Sequence, residues 1–248
     1  AQSHAVIENF LDKLYELDPN LAIAKKQHND NVQNKPWHTQ KIEVFASLQT
    51  AGYAIGGTTW NFSRDVIKDL DLDLMVIEEA GQFALANTLI VASRAKKTLL
   101  LGDPQQLEQV SQASHMYPVD KSALGHILDK HKTIPDDWGY FLSKTYRMHS
   151  KLTKPVSILQ YENRLVSASV TDERDLEGVE PGLKKLTLNH SGNTTRSEEE
   201  VEEILKLVQQ LIGKTWSDKD STRDLKQQDI LIVAPYNNQV RLIKQALM

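Results

Sequence analysis

The residues Met75-Val76-Ile77-Glu78-Glu79 place two adjacent carboxylates at the end of an apolar run. Nucleotide-cleaving enzymes need one carboxylate to hold the water shell of a Mg²⁺ ion and another to orient or deprotonate the attacking water. Adjacent residues can divide these tasks, because their side chains leave a strand end in different directions. Alone, the pair reads more simply as an acidic loop capping the next helix. Two further groups shift that balance. Gly102-Asp103-Pro104-Gln105-Gln106-Leu107 follows the next apolar run, bringing the Gln106 amide to the same sheet edge, where it can sense a γ-phosphate without adding charge. Tyr146-Arg147-Met148-His149 follows a third expected strand, and Arg147 there offers a planar cationic fork to a transferring phosphoryl group. Singly, Gln106 reads as a turn residue and Arg147 as a surface or ion-pairing residue. In order, the three groups point to nucleotide hydrolysis.

Such groups need a scaffold that ends several strands at one edge. Residues 72–77 and 98–101 are short apolar runs stopping at polar loops, with helix-like sequence over 83–95 between them. That is the pattern of a buried parallel sheet, whose ligands sit at the carboxyl ends of the strands. Val6, Phe10, Leu11 and Leu14 predict an amphipathic helix over 5–15, which Asp18-Pro19-Asn20 breaks. A short strand over 21–24, a surface connection over 25–36, a helix over 39–50 and a strand over 53–55 follow. Later, the pattern predicts strands over 140–145, 183–188 and 229–234. Between them it predicts an irregular charged segment over 167–181, an amphipathic helix over 198–212 and a polar linker over 215–228; a helix begins at Asn238. The acids of 198–203 suit a solvated helix start.

Composition narrows the classes. With 248 residues, 40% hydrophobic and 25% charged, the chain has the make-up of a globular protein of one large or two modest domains. No apolar run reaches the roughly 20 residues a membrane helix needs, and the N-terminus has no export pattern, so a cytoplasmic protein without a membrane partner is expected. The absence of cysteine excludes disulfides, thiolate metal sites and thiol nucleophiles, and none of the eight histidines forms an HExxH pair. A net charge of −4 argues against a surface that is basic throughout, while leaving room for a local cationic track.

Along most of its length the chain resembles superfamily 1 DNA/RNA helicases of the up-frameshift-like group, with AAA-type RecA-like lobes. Ala1-Gln2-Ser3-His4-Ala5-Val6-Ile7-Glu8-Asn9 is similar to motif Ia, Gly57-Thr58-Thr59 to motif Ic, and Glu78-Glu79-Ala80-Gly81-Gln82 to motif II. The run 102–107 resembles motif III, Tyr146-Arg147-Met148-His149 motif IV, and Val233-Ala234-Pro235-Tyr236-Asn237-Asn238-Gln239 a motif of the second lobe. Residues 159–165 resemble the helix that follows motif IV. The resemblance implies an α/β fold of two incomplete RecA-like P-loop NTPase lobes, 1–143 and 144–248, with parallel sheets flanked by helices. It implies ATP and Mg²⁺ as cofactors and single-stranded DNA, or RNA, as partner; a RecB-type nuclease in the same parent chain is a further expectation. Residue by residue, Glu79 would position the hydrolytic water and Glu78 would hold Mg²⁺ through water. Gln106 would sense the γ-phosphate and Arg147 reach it from the other lobe, with Gly102, Asp103, Tyr146 and Tyr236 beside the nucleotide. Ser3, His4, Thr58, Thr59, Trp60 and Pro235 would lie along the nucleic-acid track. Core packing is the alternative for Trp60, and burial that for Tyr236.

Two departures stand out. The family usually has aspartate where Glu78 stands, and the extra methylene would shift a metal by about an ångström, a displacement that can cost roughly 10²-fold in rate. The chain also contains no GxxxxGK[ST] loop, whose amides cradle phosphates, nor the family's final arginine motif. The expectation is therefore an inactive central fragment of an ATP-dependent helicase. The alternative is a non-hydrolysing helicase-like module that clamps nucleic acid or a partner. A two-metal nuclease centre of Asp71, Asp73, Glu78 and Glu79 is disfavoured, because the two aspartates precede the apolar run and would sit at the opposite sheet edge.

Overall fold

The computed structural model describes every residue except 2, 27–34, 108–114 and 117, and of Thr39 the backbone only. Gln2 of the motif Ia resemblance and most of the expected 25–36 connection thus lie outside the described residues. The chain forms two α/β units, Ala1–Gly139 and Tyr140–Met248, each taken by itself below.

The first unit opens with α1 (His4–Leu17), whose face of Ile7 and Leu11 is buried. Its polar face is not simply solvated. Glu8 Oε1 accepts from the buried Lys25 at 2.6 Å, while Asp12 accepts from Lys35 at 2.8 Å and from Trp37 Nε1 at 2.7 Å. Three short parallel strands lie beneath: β1 (Ala22–Lys25) pairs on one side with β2 (His38–Thr39) and, beyond α2 (Ile42–Ser47), on the other with β3 (Tyr53–Gly56). Gly56 closes that layer: a Cβ there would stand 2.7 Å from both Ile7 and Leu11, so only glycine lets α1 seat this closely.

After α3 (Thr59–Phe62), β4 (Leu72–Glu78) runs parallel to β5 (Ala95–Leu101) across α4 (Leu85–Ala92), and α5 (Ala123–Leu128) follows. Alternate residues Met75 and Ile77 of β4 enter a core with Phe62, Ile67, Phe83, Val91 and Leu128. Each such fully buried side chain contributes about 1.5–3 kcal/mol. Among the described residues β3 has only β1 as a partner and β4 only β5, so the parallel sheet is in two pieces. A cavity of about 330 Å³ is lined by both free edges and by α1.

In the second unit, β6 (Lys144–Thr145) pairs in parallel with β7 (Val166–Ser167) across α6 (Ser150–Gln160). Next, β8 (Asp175–Leu176) joins an antiparallel sheet with β9 (Thr215–Ser217) and β10 (Thr222–Asp224), which flank the long α7 (Glu198–Leu211) on its far side in sequence; α8 (Asn237–Ala246) ends the unit. Buried Gln239 of α8 ties the two long helices together, accepting from Ser197 N at 2.7 Å and donating to Ser197 O at 3.1 Å.

Several expectations are corrected here. The strand expected over 140–145 is limited to Lys144–Thr145. Residues 183–188 and 230–234 form no strand, because no neighbour among the described residues pairs with them. The 215–228 linker is instead a β-hairpin, turned by Asp218 Oδ1, which accepts from Asp220 N and Ser221 N, and braced by Arg223 on both Asp229 oxygens and over the Trp216 ring. The helix expected to include 159–165 ends at Gln160, because Glu162 and Asn163 take positive φ of 51° and 61°.

Candidate functional site

The tip of β4 carries the first group. Glu78 is the strand's last residue, opposite Leu101 at the end of β5, and Ala80 N donates to Leu101 O at 2.8 Å just beyond. Between them Glu79 has φ of 59°, a left-handed conformation uncommon for a non-glycine residue and found disproportionately at functional turns. Burial, and then the neighbouring Glu79 carboxylate, push the Glu78 carboxyl above its ordinary pKa.

The loops after β4 and β5 are pressed together. A Cβ on Gly81 would lie 2.0 Å from the Asp103 carbonyl oxygen, and one on Gly102 would lie 2.6 Å from Ala80 N. Glycine at both positions permits this contact, and it brings Gln82 Nε2 to 3.1 Å from Gln106 Oε1. The second loop is turned by its own bonds: Asp103 Oδ1 accepts from Gln105 N at 2.9 Å, and Gln105 Nε2 donates to Lys132 O at 2.9 Å. Glu78, Glu79, Gln106, Gly102 and Asp103 are thus gathered at one strand edge.

Asp71 and Asp73 are at the other end of β4, where Lys96 holds them at 3.1 and 3.0 Å. The four carboxylates do not converge, and no cluster of three or more potential ligands among His, Cys, Asp and Glu occurs among the described residues.

Arg147 lies in the second unit, directly after β6. Its amide donates to Thr145 Oγ1 at 3.2 Å, and the Arg174 guanidinium clamps the backbone by donating to the carbonyls of Arg147 and Tyr146. Asp172, two residues before Arg174, accepts from Ser150 N at 2.8 Å, fixing the start of α6. The side chains of Tyr146 and Arg147 are left exposed. Further along, Tyr236 is half exposed at the N-cap of α8, after exposed Pro235.

The expected track residues occupy two helix starts of the first unit. Ser3 is the N-cap of α1 but makes no side-chain capping bond, and His4 follows it. Thr58 caps α3, with its hydroxyl donating to Asn61 Oδ1 at 3.1 Å, whereas Thr59 Oγ1 is buried without a hydrogen-bond partner in the structure. Trp60 is 83% exposed, so its ring is not part of the core.

Family models described as an AAA domain match residues 5–112 and 119–248. The chain belongs to the AAA-domain family. Its relatives include the DNA polymerase alpha-associated DNA helicase A of Schizosaccharomyces pombe, 26% identical over 231 residues, covering 86% of this chain and 34% of that protein. The DNA-binding protein SMUBP-2 of Rattus norvegicus is 28% identical over 231 residues, covering 84% of this chain and 22% of its own length. The human 3'-5' exoribonuclease HELZ2 is 27% identical over 202 residues, which are 73% of this chain and 6% of that protein. This chain therefore spans about a third of the length of the first of these relatives and less of the other two. Its two AAA domains are related, distantly, to helicase-family proteins.

Within the first AAA domain, sequence reasoning gave Gln82 no task, and its bond to Gln106 depends on a contact between loops 24 residues apart. The adjacent glycines of the two motifs were the available signal. Arg174, the clamp on the motif IV backbone in the second AAA domain, had none: it stands in the segment read as irregular. No helix among the described residues is long and apolar enough to cross a membrane.

Proposed function

We propose that the chain is the central part of an ATP-dependent superfamily 1 helicase or translocase that acts on nucleic acid, DNA in the first instance. The observation that carries this reading is the joint between the loops after β4 and β5, which puts two carboxylates and an amide at one strand edge. In this reading Glu79 orients or deprotonates the attacking water and Gln106 donates to the γ-phosphate, while Arg147 is a cation suited to a transferring phosphoryl group. Mg²⁺ fits this edge in the manner usual for that ion, which needs only one or two protein carboxylates when phosphate oxygens and water complete its shell. Glu78 would hold it through water, and its chemistry there would be to neutralise phosphate charge. Trp60, with an open ring face, suits a base.

ATP hydrolysis by the full-length protein, with and without single-stranded DNA, tests the proposal. The expected result is turnover stimulated by the strand and reduced roughly 10²-fold or more in Glu79→Gln. Strand binding with no turnover in either protein would favour the second reading, a clamp without hydrolysis. One observation motivates that reading: the half-buried glutamate at position 78.

A further inference from the structure

We propose that Arg174 is a positioning residue that aims the Arg147 side chain; this rests on the functional reading above, in which Arg147 is a cation suited to a transferring phosphoryl group. Arg174 Nη2 donates to Tyr146 O at 3.0 Å, and its Nη1 donates to Arg147 O. A guanidinium can only donate and a carbonyl can only accept, so the pairing has one sense. The two carbonyls belong to the two peptide planes that flank the Arg147 Cα. Each plane is rigid, so holding both fixes φ and ψ of Arg147 and with them the direction of its Cα–Cβ bond.

No other group holds both planes. Arg147 N, in the first plane, also donates to Thr145 Oγ1 at 3.2 Å, but among the described residues no donor except Arg174 reaches the Arg147 carbonyl in the second. The chain on either side is tied without Arg174: Ala168 N donates to Thr145 O at 2.9 Å, and Ser167 Oγ donates to Met148 O at 2.9 Å. Arg174 is itself anchored, between Asp172, which accepts from Ser150 N, and β8, where Asp175 pairs with Ser217. The Arg147 side chain is exposed and makes no salt bridge among the described residues, so its aim comes from the backbone beneath it.

A double-mutant cycle on strand-stimulated ATP turnover by the full-length protein tests this, at a temperature where every variant is folded. Arg174→Ala alone should lower kcat about tenfold, a part of the roughly 10²-fold that misplacement by an ångström can cost. In an Arg147→Ala background the loss should shrink below about twofold, because no guanidinium is left to aim. The unfolding loss caused by Arg174→Ala should be the same in both backgrounds, since both carbonyls remain, so a merely structural role does not produce the coupling. Equal turnover losses in the two backgrounds, or none in either, overturn the proposal. A second measurement is ¹⁵N relaxation of the Arg147 and Met148 amides, one in each plane. Their order parameters should fall from about 0.85 in the unsubstituted protein to below about 0.6 in Arg174→Ala. Unchanged order parameters overturn the proposal as well. If the unsubstituted protein shows no turnover, it is the functional reading that fails, and the order parameters still decide whether Arg174 fixes residue 147.

Discussion

Two apolar runs with nearly the same sequence character end differently in this chain. Leu74-Met75-Val76-Ile77 lies in β4, pairs along its length with β5 and sends Ile77, 1% exposed, into the core. Ile230-Leu231-Ile232-Val233 is equally apolar, yet no strand among the described residues pairs with it, and Leu231 and Val233 are 89% and 83% exposed. An apolar run states a wish for burial, but a strand also needs an edge to bond to, and that edge comes from distant sequence. The chemistry-bearing loop follows the run that found its edge.

The sharpest way to break this comparison is to truncate both runs. Ile77→Ala should cost about 2–5 kcal/mol, because it opens a void in a closed core, whereas Leu231→Ala should stay within about 0.5 kcal/mol. Urea unfolding of each variant gives both values. Comparable losses would mean that 230–233 is buried in solution. Amide hydrogen exchange gives an independent view: residues 75–77 should be protected far more than 231–233.

Next in size is the joint between the loops. Gly81→Ala places a Cβ against the Asp103 carbonyl, which must yield, at a cost of about 1–3 kcal/mol. The same substitution at Gly52, where nothing lies within 4 Å of the added atom, should be near neutral. A neutral Gly81→Ala in the same unfolding assay would show that the two loops are not in contact.

These contrasts explain what could be read in advance. The β4–α4–β5 unit was legible because each of its strands is a local apolar run ended by polar loop residues, and the positions of Glu78, Glu79 and Gln106 followed from that. The first helix was legible from its period. In the second unit α7 and α8 were legible from the same period, but the β9–β10 hairpin was not, since it is held by Arg223 on Trp216 and Asp229, contacts that carry no hydrophobic period. Gln82 and Arg174 were missed for a related reason: what each does is set by a partner 24 or more residues away, and nothing in their neighbourhoods names that partner.

Arg174 allows a smaller test. Arg174→Ala removes both donors to the carbonyls of Tyr146 and Arg147 and should destabilise the second unit by about 1 kcal/mol. Arg174→Lys, which reaches at most one carbonyl well, should fall between the two proteins in unfolding midpoint. A loss confined to the first unit, read by hydrogen exchange, would contradict the clamp.

The smallest effect concerns Glu78, and its sign follows from linkage. Its pKa is raised on folding by burial and by Glu79, so the folded state holds this proton more tightly than the unfolded chain does. The resulting stabilisation is complete below the ordinary glutamate pKa and is lost as pH rises through the raised folded value. Ionisation of Glu78 therefore works against the fold. Glu78→Gln keeps the shape and removes the charge, so it should raise Tm by a few degrees at most at neutral pH. That gain should fade on acidification, because below the ordinary range Glu78 is protonated in both states. A gain independent of pH would locate the cause in packing and not in charge, and the electrostatic account of this strand tip would fail.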